Sequence, residues 1–234
     1  MSAHKLIDKK RANIDAVLPN CAGDIVEVGT ARPAPGLPYG ESSTHDLNRL
    51  AIALGRRFTS IDLAPERGEL VEPPALFIQG DGTAVMMAWQ APIFLLYLDN
   101  FDVINDPVHE ENLRGRIGDF YERHDLRLTN QQSAYAHFAQ ARAALPKVSL
   151  NGFICLDDTI FDYWRNRWWG KGAMAVPYLL GMGCVIIALG DRGVLLQKVT
   201  PNELMPASIH PEKLLDDASF AELPMSMEFP RQRQ

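Results

Sequence analysis

The chain has 234 residues, 47% of them apolar, and a formal net charge of −6. That length holds one substantial α/β domain, and the apolar share builds an ordinary core rather than a disordered chain. The acidic balance counts against nonspecific binding to nucleic acid or an anionic membrane, and no apolar run approaches the about 20 residues that span a bilayer.

In chain order, residues 4–18 read as one amphipathic helix, with Ile7, Ile14, Val17 and Leu18 on one face and Pro19 at its end. Residues 24–28 form a short strand. Gly29 interrupts it, and a Pro/Gly-rich loop follows over 32–41. Ser42, Ser43 or Thr44 caps the next helix, which carries Leu47, Leu50, Ala51 and Leu54. Residues 58–63 and 75–79 are the second and third strands, and a short helix follows Gly80-Asp81-Gly82-Thr83. Residues 93–98 are apolar on both faces, as a central parallel strand requires. The polar segment 105–128 carries no assignable element. A helix over 131–145 aligns Ala134, Phe138, Ala141 and Leu145, and residues 153–156 form a fifth strand. An aromatic segment with Tyr163, Trp164, Trp168 and Trp169 comes next, then a terminal hairpin over 185–189 and 194–199. The tail after Thr200 is unassigned. Strands alternating with helices predict a doubly wound α/β sheet, its first five strands parallel and its last hairpin antiparallel. The expected organisation is one domain over 1–234: an N-terminal helix over 1–19, a core over 20–200 and a C-terminal extension over 201–234.

Cys21, Cys155 and Cys184 form no CxxC pair and no zinc spacing, and read as buried free thiols of a reducing compartment. The polar, charged N-terminus is unlike a secretory signal, so the expected location is cytoplasmic. No hydrolase GxSxG, P-loop, HExxH or HxH spacing occurs. His137 beside an apolar helix face reads as structural, and His45 as a residue of a helix first turn.

Open α/β sheets bind ligands beyond the carboxyl ends of their strands. Here four strands end in or run into an acid, at Glu27, Asp62, Asp81 and Asp99, and a fifth ends in Asp157-Asp158. Each acid alone could be a turn or cap residue. Together they suit a ligand with vicinal ribose hydroxyls and a cationic head, because a carboxylate offers paired acceptor oxygens. Gly29 lets the backbone approach a ligand closely. A pyrophosphate would want glycine-rich amides instead, and Gly29-Thr30-Ala31-Arg32 breaks the GxGxxG pattern of dinucleotide sites.

In this order and spacing, Val26-Glu27-Val28-Gly29-Thr30, Phe58-Thr59-Ser60-Ile61-Asp62, Gly80-Asp81-Gly82, the run from Phe94 to Asp99, and the run from Gly152 to Thr159 resemble the successive motifs of the class I S-adenosylmethionine-dependent methyltransferases. The resemblance covers roughly residues 20–200 and implies a seven-stranded, Rossmann-like methyltransferase fold with helices on both faces. It puts Glu27 and Gly29 beside the methionine part of the cofactor, with Thr30 and Ser43 grouped among the cofactor residues. Asp62 would hold the ribose, Asp81 and Gly82 would border the adenine, and Asp99 would lie near the sulfonium. The first motif departs from the family in lacking its second and third glycines, and the loop over 32–41 lengthens the gap to Asp62.

Asp99 with Asp157 and Asp158 is further similar to the acidic positions of catechol O-methyltransferase-like enzymes, which implies magnesium held by those three residues. The other reading of Asp157-Asp158 is a helix cap with solvated charge. That subgroup carries a lysine base just after the strand-four acid, where this chain has Asn100-Phe101-Asp102-Val103, so Asp102 and His109 stand as candidate bases. The expected activity is methyl transfer to an oxygen, less favourably a nitrogen, of a small molecule, by a homodimer without nucleic-acid or membrane partners. An aminopropyltransferase acting on a polyamine and a non-catalytic scaffold of the same fold remain the alternatives. The tryptophan segment lines a substrate site or forms a packing or dimer surface.

Overall fold

A computed structural model describes residues 3–31, 42–104 and 107–206. Seven strands form one sheet in the order β3-β2-β1-β4-β5-β9-β8. Strands β1 (Asp24–Val28), β2 (Phe58–Asp62), β3 (Leu76–Gln79), β4 (Ile93–Leu98) and β5 (Val148–Asp157) run parallel. The edge is closed by β8 (Cys184–Gly190) and β9 (Gly193–Lys198), with β9 antiparallel to both β5 and β8. The expected doubly wound sheet with an antiparallel terminal hairpin is therefore present.

Helices cover both faces, as the apolar runs on both sides of β4 demand. On one face, α1 (Ala3–Lys9), α2 (Arg11–Val17) and α3 (Ser43–Leu54) bring Leu6, Ile14, Leu47 and Leu50 onto Ile25, Phe94 and Phe153. On the other, α4 (Gly82–Ala88), α6 (Asn130–Ala144) and α7 (Ala175–Gly181) bring Met86, Phe138, Ala141 and Leu179 onto Val26, Leu96 and Ile154. Helix α3 starts at Ser42, whose hydroxyl accepts the His45 N–H at 3.2 Å, and ends at Gly55 in the left-handed region.

Three elements differ from the sequence expectation. The single helix over 4–18 is two helices, because Lys10 leaves helical geometry at φ −104°, ψ 17°. Segment 105–128 contains α5 (Pro107–Arg123). Helix α5 carries a small core of its own, Leu113 and Tyr121 packing with Leu128, Phe101 and Ile117. Strand β5 begins five residues before the expected 153, and its pairing with β4 is irregular: Ile93 faces Val148 but Leu95 faces Phe153. Asn151 at φ +67° sits in that bulge, so the strand runs on through the Asn151-Gly152 pair.

The aromatic segment folds back as a separate two-stranded ribbon, β6 (Thr159–Asp162) paired antiparallel with β7 (Arg167–Gly170). Trp169 is buried and Trp168 packs against the core, whereas Tyr163 and Trp164 stand exposed at the turn. Among the described residues no helix is long and apolar enough to cross a membrane.

One buried cation ties the sheet edge to α6. The Lys198 ammonium donates to the carbonyls of Leu145 at 3.1 Å and Val148 at 2.7 Å and to Asn202 Oδ1 at 2.6 Å. Lys198→Met leaves two carbonyls without that donor, and the expected loss is about 2–4 kcal/mol. Urea unfolding measures it; an unchanged midpoint would show that the ammonium contributes nothing.

Candidate active site

The chain steps from β1 outward to β2 and β3 on one side and returns to β4 and β5 on the other, so the strand order reverses between β1 and β4. Such a switch point leaves a crevice at the carboxyl ends of the strands. A cavity of about 250 Å³ lies there, and the strand ends supply its floor: Gly29 and Thr30 after β1, Asp62 at the end of β2, Asp81 and Gly82 after β3, and Asp99 to Asp102 after β4. Helix α5 and the turn after it form the outer wall through Arg116, Ile117, Phe120, Tyr121, Arg123 and Leu126.

Backbone donors fix the Asp62 carboxylate. Thr30 N–H donates to Oδ2 at 3.0 Å and Ala64 N–H to Oδ1 at 2.9 Å. Asp81 caps α4, accepting the Ala84 N–H at 2.8 Å, while also facing the cavity. Gly29 and Gly82 are required by packing. Gly29 has φ +98°, and a Cβ there would lie 2.3 Å from the Asn100 nitrogen; one on Gly82 would lie 2.3 Å from Val28 Cγ1. The close approach at Gly29 is thus to the backbone that leaves β4.

Of the remaining expected site residues, Glu27, Ser43 and His109 lie off this cavity. Glu27 is fully buried on the α3 side of the sheet. Ser43 donates to its Oε1 at 3.0 Å, and Thr44 and Ser60 donate to its Oε2 at 2.7 Å each. Thr44 in turn accepts the Ala31 N–H at 2.8 Å. Glu27 therefore joins residue 31 to residues 43 and 44, the flanks of segment 32–41, which itself lies outside the described residues, as does the tail from 207 on. Burial outweighs the three hydroxyl donors and pushes the Glu27 carboxyl up to about 8. His109 lies on α5 and does not line the cavity. Asp102 does line it; the Tyr121 hydroxyl donates to its Oδ2 at 3.2 Å. His45 is in the first turn of α3, its Nε2 4.0 Å from Glu72. His137 is buried and donates from Nδ1 to the Ser133 carbonyl at 2.7 Å; burial lowers it to about 3, so it is neutral.

The metal site expected at Asp99, Asp157 and Asp158 is not assembled. Among the described residues no group of three or more His, Cys, Asp or Glu is placed to hold an ion. A protein cation is there instead. The Lys171 ammonium lies 2.5 Å from Asp99 Oδ1 and 3.3 Å from Asp158 Oδ2, and Arg192 reaches Asp158 Oδ1 at 2.6 Å. Burial raises Asp99 to about 7 against the pull of Lys171, with Asp157 and Asp158 adding to the rise. The two cations hold Asp158 below the ordinary carboxylate range despite its burial.

Sequence spacing alone missed several contributors. Lys171 meets Asp99 across 72 residues, a contact no local motif reveals. The α5 wall did carry a signal, since Leu113, Ile117 and Tyr121 recur at helical spacing within a polar segment. Asn100 lines the cavity, and its Oδ1 is buried with no hydrogen-bond partner among the described residues.

No family model matches the chain, and no curated protein does. Solved structures do. The MycE methyltransferase of the mycinamycin biosynthetic pathway, solved with Mg, SAH and mycinamycin VI, aligns at 13% identity and a TM-score of 0.48 over 86% of this chain and 51% of its own. The O-methyltransferase NovP aligns at 16% identity and a TM-score of 0.48 over 84% and 80%. The SAH-bound methyltransferase PaMTH1 of Podospora anserina aligns at 11% and 0.45 over 81% and 77%. The chain spans about half the length of MycE.

The buried Glu27 makes stability depend on pH. Its carboxyl titrates at 4.5 in the ordinary state and at about 8 in the fold, so the folded chain holds a proton that the unfolded chain has lost in that window. Stability therefore falls as pH rises from about 4.5 toward 8. Glu27→Gln removes this contribution, and its melting temperature should drop less than that of the wild type between pH 5 and pH 8. Parallel melting curves for the two proteins across that range would contradict the assignment.

Proposed function

We propose that this chain transfers the methyl group of S-adenosylmethionine to an oxygen, less favourably a nitrogen, of a small-molecule acceptor. The observation that carries the reading is the convergence of Gly29, Asp62, Asp81 and Asp99, from four adjacent strand ends, on one cavity at the switch point. An acceptor-rich floor suits ribose hydroxyls and an ammonium, and its carboxylates repel a pyrophosphate. The orphaned Asn100 Oδ1 adds a buried acceptor at the same place, so the residues present fit the cofactor.

In this reading Asp62 binds the ribose hydroxyls, the orientation of its oxygens fixed by the Thr30 and Ala64 amides. Asp81 and Gly82 border the adenine. Asp99 and Asn100 face the methionine end, with Asn100 Oδ1 accepting from the ammonium. When bound, the sulfonium supplies an electrophilic methyl group. The chain's own part is to hold the acceptor in line with that methyl and to take its proton. Asp102, on the cavity wall and oriented by the Tyr121 hydroxyl, is the candidate base. Ile117 and Phe120 give the outer wall an apolar surface that keeps water from the transfer. The acidic floor and the net charge of −6 favour a small acceptor over a polyanionic nucleic acid.

Calorimetric titration with S-adenosylmethionine tests this directly. Wild type is expected to bind, and Asp62→Asn to bind roughly 10- to 100-fold more weakly, the cost of one or two charge-assisted hydrogen bonds. Absence of binding to the wild type at millimolar cofactor sinks the reading and favours a non-catalytic scaffold of this fold.

A further inference from the structure

We infer that the Lys171 ammonium is the resident cation of this site, standing where a divalent metal would bridge the acids at the ends of β4 and β5. The inference rests on the methyl-transfer reading for its functional meaning, but its geometry is independent of any substrate.

The β6–β7 ribbon delivers the ammonium. The chain leaves β5 through Asp158 at φ +43° and returns through Gly170 at φ +81°, where a Cβ would lie 2.0 Å from the Asp158 carbonyl oxygen. Lys171 N–H then donates to that same carbonyl at 3.0 Å. This stitch fixes the Lys171 backbone beside Asp158 and turns its side chain inward, where it is 3% exposed. Nζ donates to Asp99 Oδ1 at 2.5 Å and to the Asp99 carbonyl at 3.3 Å, and lies 3.3 Å from Asp158 Oδ2. An ammonium has three donors, and here each has an oxygen from one of two neighbouring strand ends.

Those oxygens are the hard donors that magnesium or manganese selects. A metal at about 2.1 Å from the same carboxylates would sit within a few ångströms of Nζ, and the repulsion between a dication and a buried ammonium opposes its entry. Arg192 on Asp158 Oδ1 adds a second positive charge. Asp99 and Asp158 are still 21% and 24% exposed, so the acids are reachable from solvent, and the ammonium is what keeps an ion out. Lys171 is thus a positioning residue: it fixes the Asp99 carboxylate against the cavity with the charge that a metal would otherwise bring.

The test is manganese binding by the full chain, read by calorimetry and by the paramagnetic signal of free Mn²⁺. Wild type should show no site, whereas Lys171→Ala, which removes both the charge and the stem, should bind Mn²⁺ about ten-fold or more tightly than wild type. Its melting temperature should rise with Mn²⁺ while the wild-type value does not move. Lys171→Ala with Asp158→Asn should lose the gain. A wild-type Mn²⁺ site abolished by Asp158→Asn overturns the inference. So does a folded Lys171→Ala that gains no affinity, or an unfolded one that Mn²⁺ does not restore, since uncompensated acids are what the ion would relieve. A parallel S-adenosylmethionine titration of the wild type separates the two readings: its failure removes the methyl-transfer proposal and leaves the manganese result standing.

Discussion

The site depends on the contact between Gly29 and the backbone leaving β4. No side chain fits there, because the Asn100 nitrogen already occupies the space a Cβ would take. The Asp99 N–H donates to the Val28 carbonyl at 2.9 Å, and the Gly29 N–H to the Ile61 carbonyl at 2.8 Å. The central strand is thereby held on both sides one residue beyond its end. Thr30 then comes within reach of Asp62, and Asp99 is brought to the mouth of the crevice. A strand end that frayed here would scatter the acids that the parallel register collects.

Much of this was legible in the sequence for a simple reason. Buried parallel strands are continuous apolar runs, and residues 93–98 match β4 at both ends. Strand ends must turn, so the acids that follow them fall on one sheet edge whatever the helices do. The sequence was silent where contacts depend on long-range partners. Glu27 follows the strand's alternation to the face covered by α3, and the hydroxyls of Ser43, Thr44 and Ser60 make its burial possible. Nothing within β1 distinguishes a carboxylate that holds a ligand from one that holds a loop. In α5 the charged residues mask a narrow apolar stripe, and in β5 the first five residues alternate polar and apolar before the irregular register that leads into the buried run from Phe153.

The electrostatics of the strand ends follow from their crowding. Asp99, Asp157 and Asp158 lie near one another at the ends of two adjacent strands, and such a group is stable only with a compensating charge. The β6–β7 ribbon after β5 answers this need: it exposes Tyr163 and Trp164 at one end and returns Lys171 to the acids at the other. The stretch whose tryptophans suit either a substrate wall or a packing surface is, at its base, a device for placing one positive charge. A purely local reading sees the tryptophans first because they are the unusual residues, whereas the ordinary lysine after them makes the contact with Asp99.

The three cysteines have a consequence for observing this molecule in solution. Cys21 precedes β1 under the N-terminal helices, Cys155 lies in the middle of β5, and Cys184 opens the edge hairpin, each 3% exposed or less. Burial raises all three thiols, Cys184 to about 11, and alkylation needs both access and a thiolate. The native chain is therefore silent to thiol reagents, and any labelling records an opening event. Because the thiols sit in three different elements, their relative rates rank how readily the segment before β1, the sheet centre and the hairpin edge open. The fold thus carries its own set of local clocks, without an introduced probe.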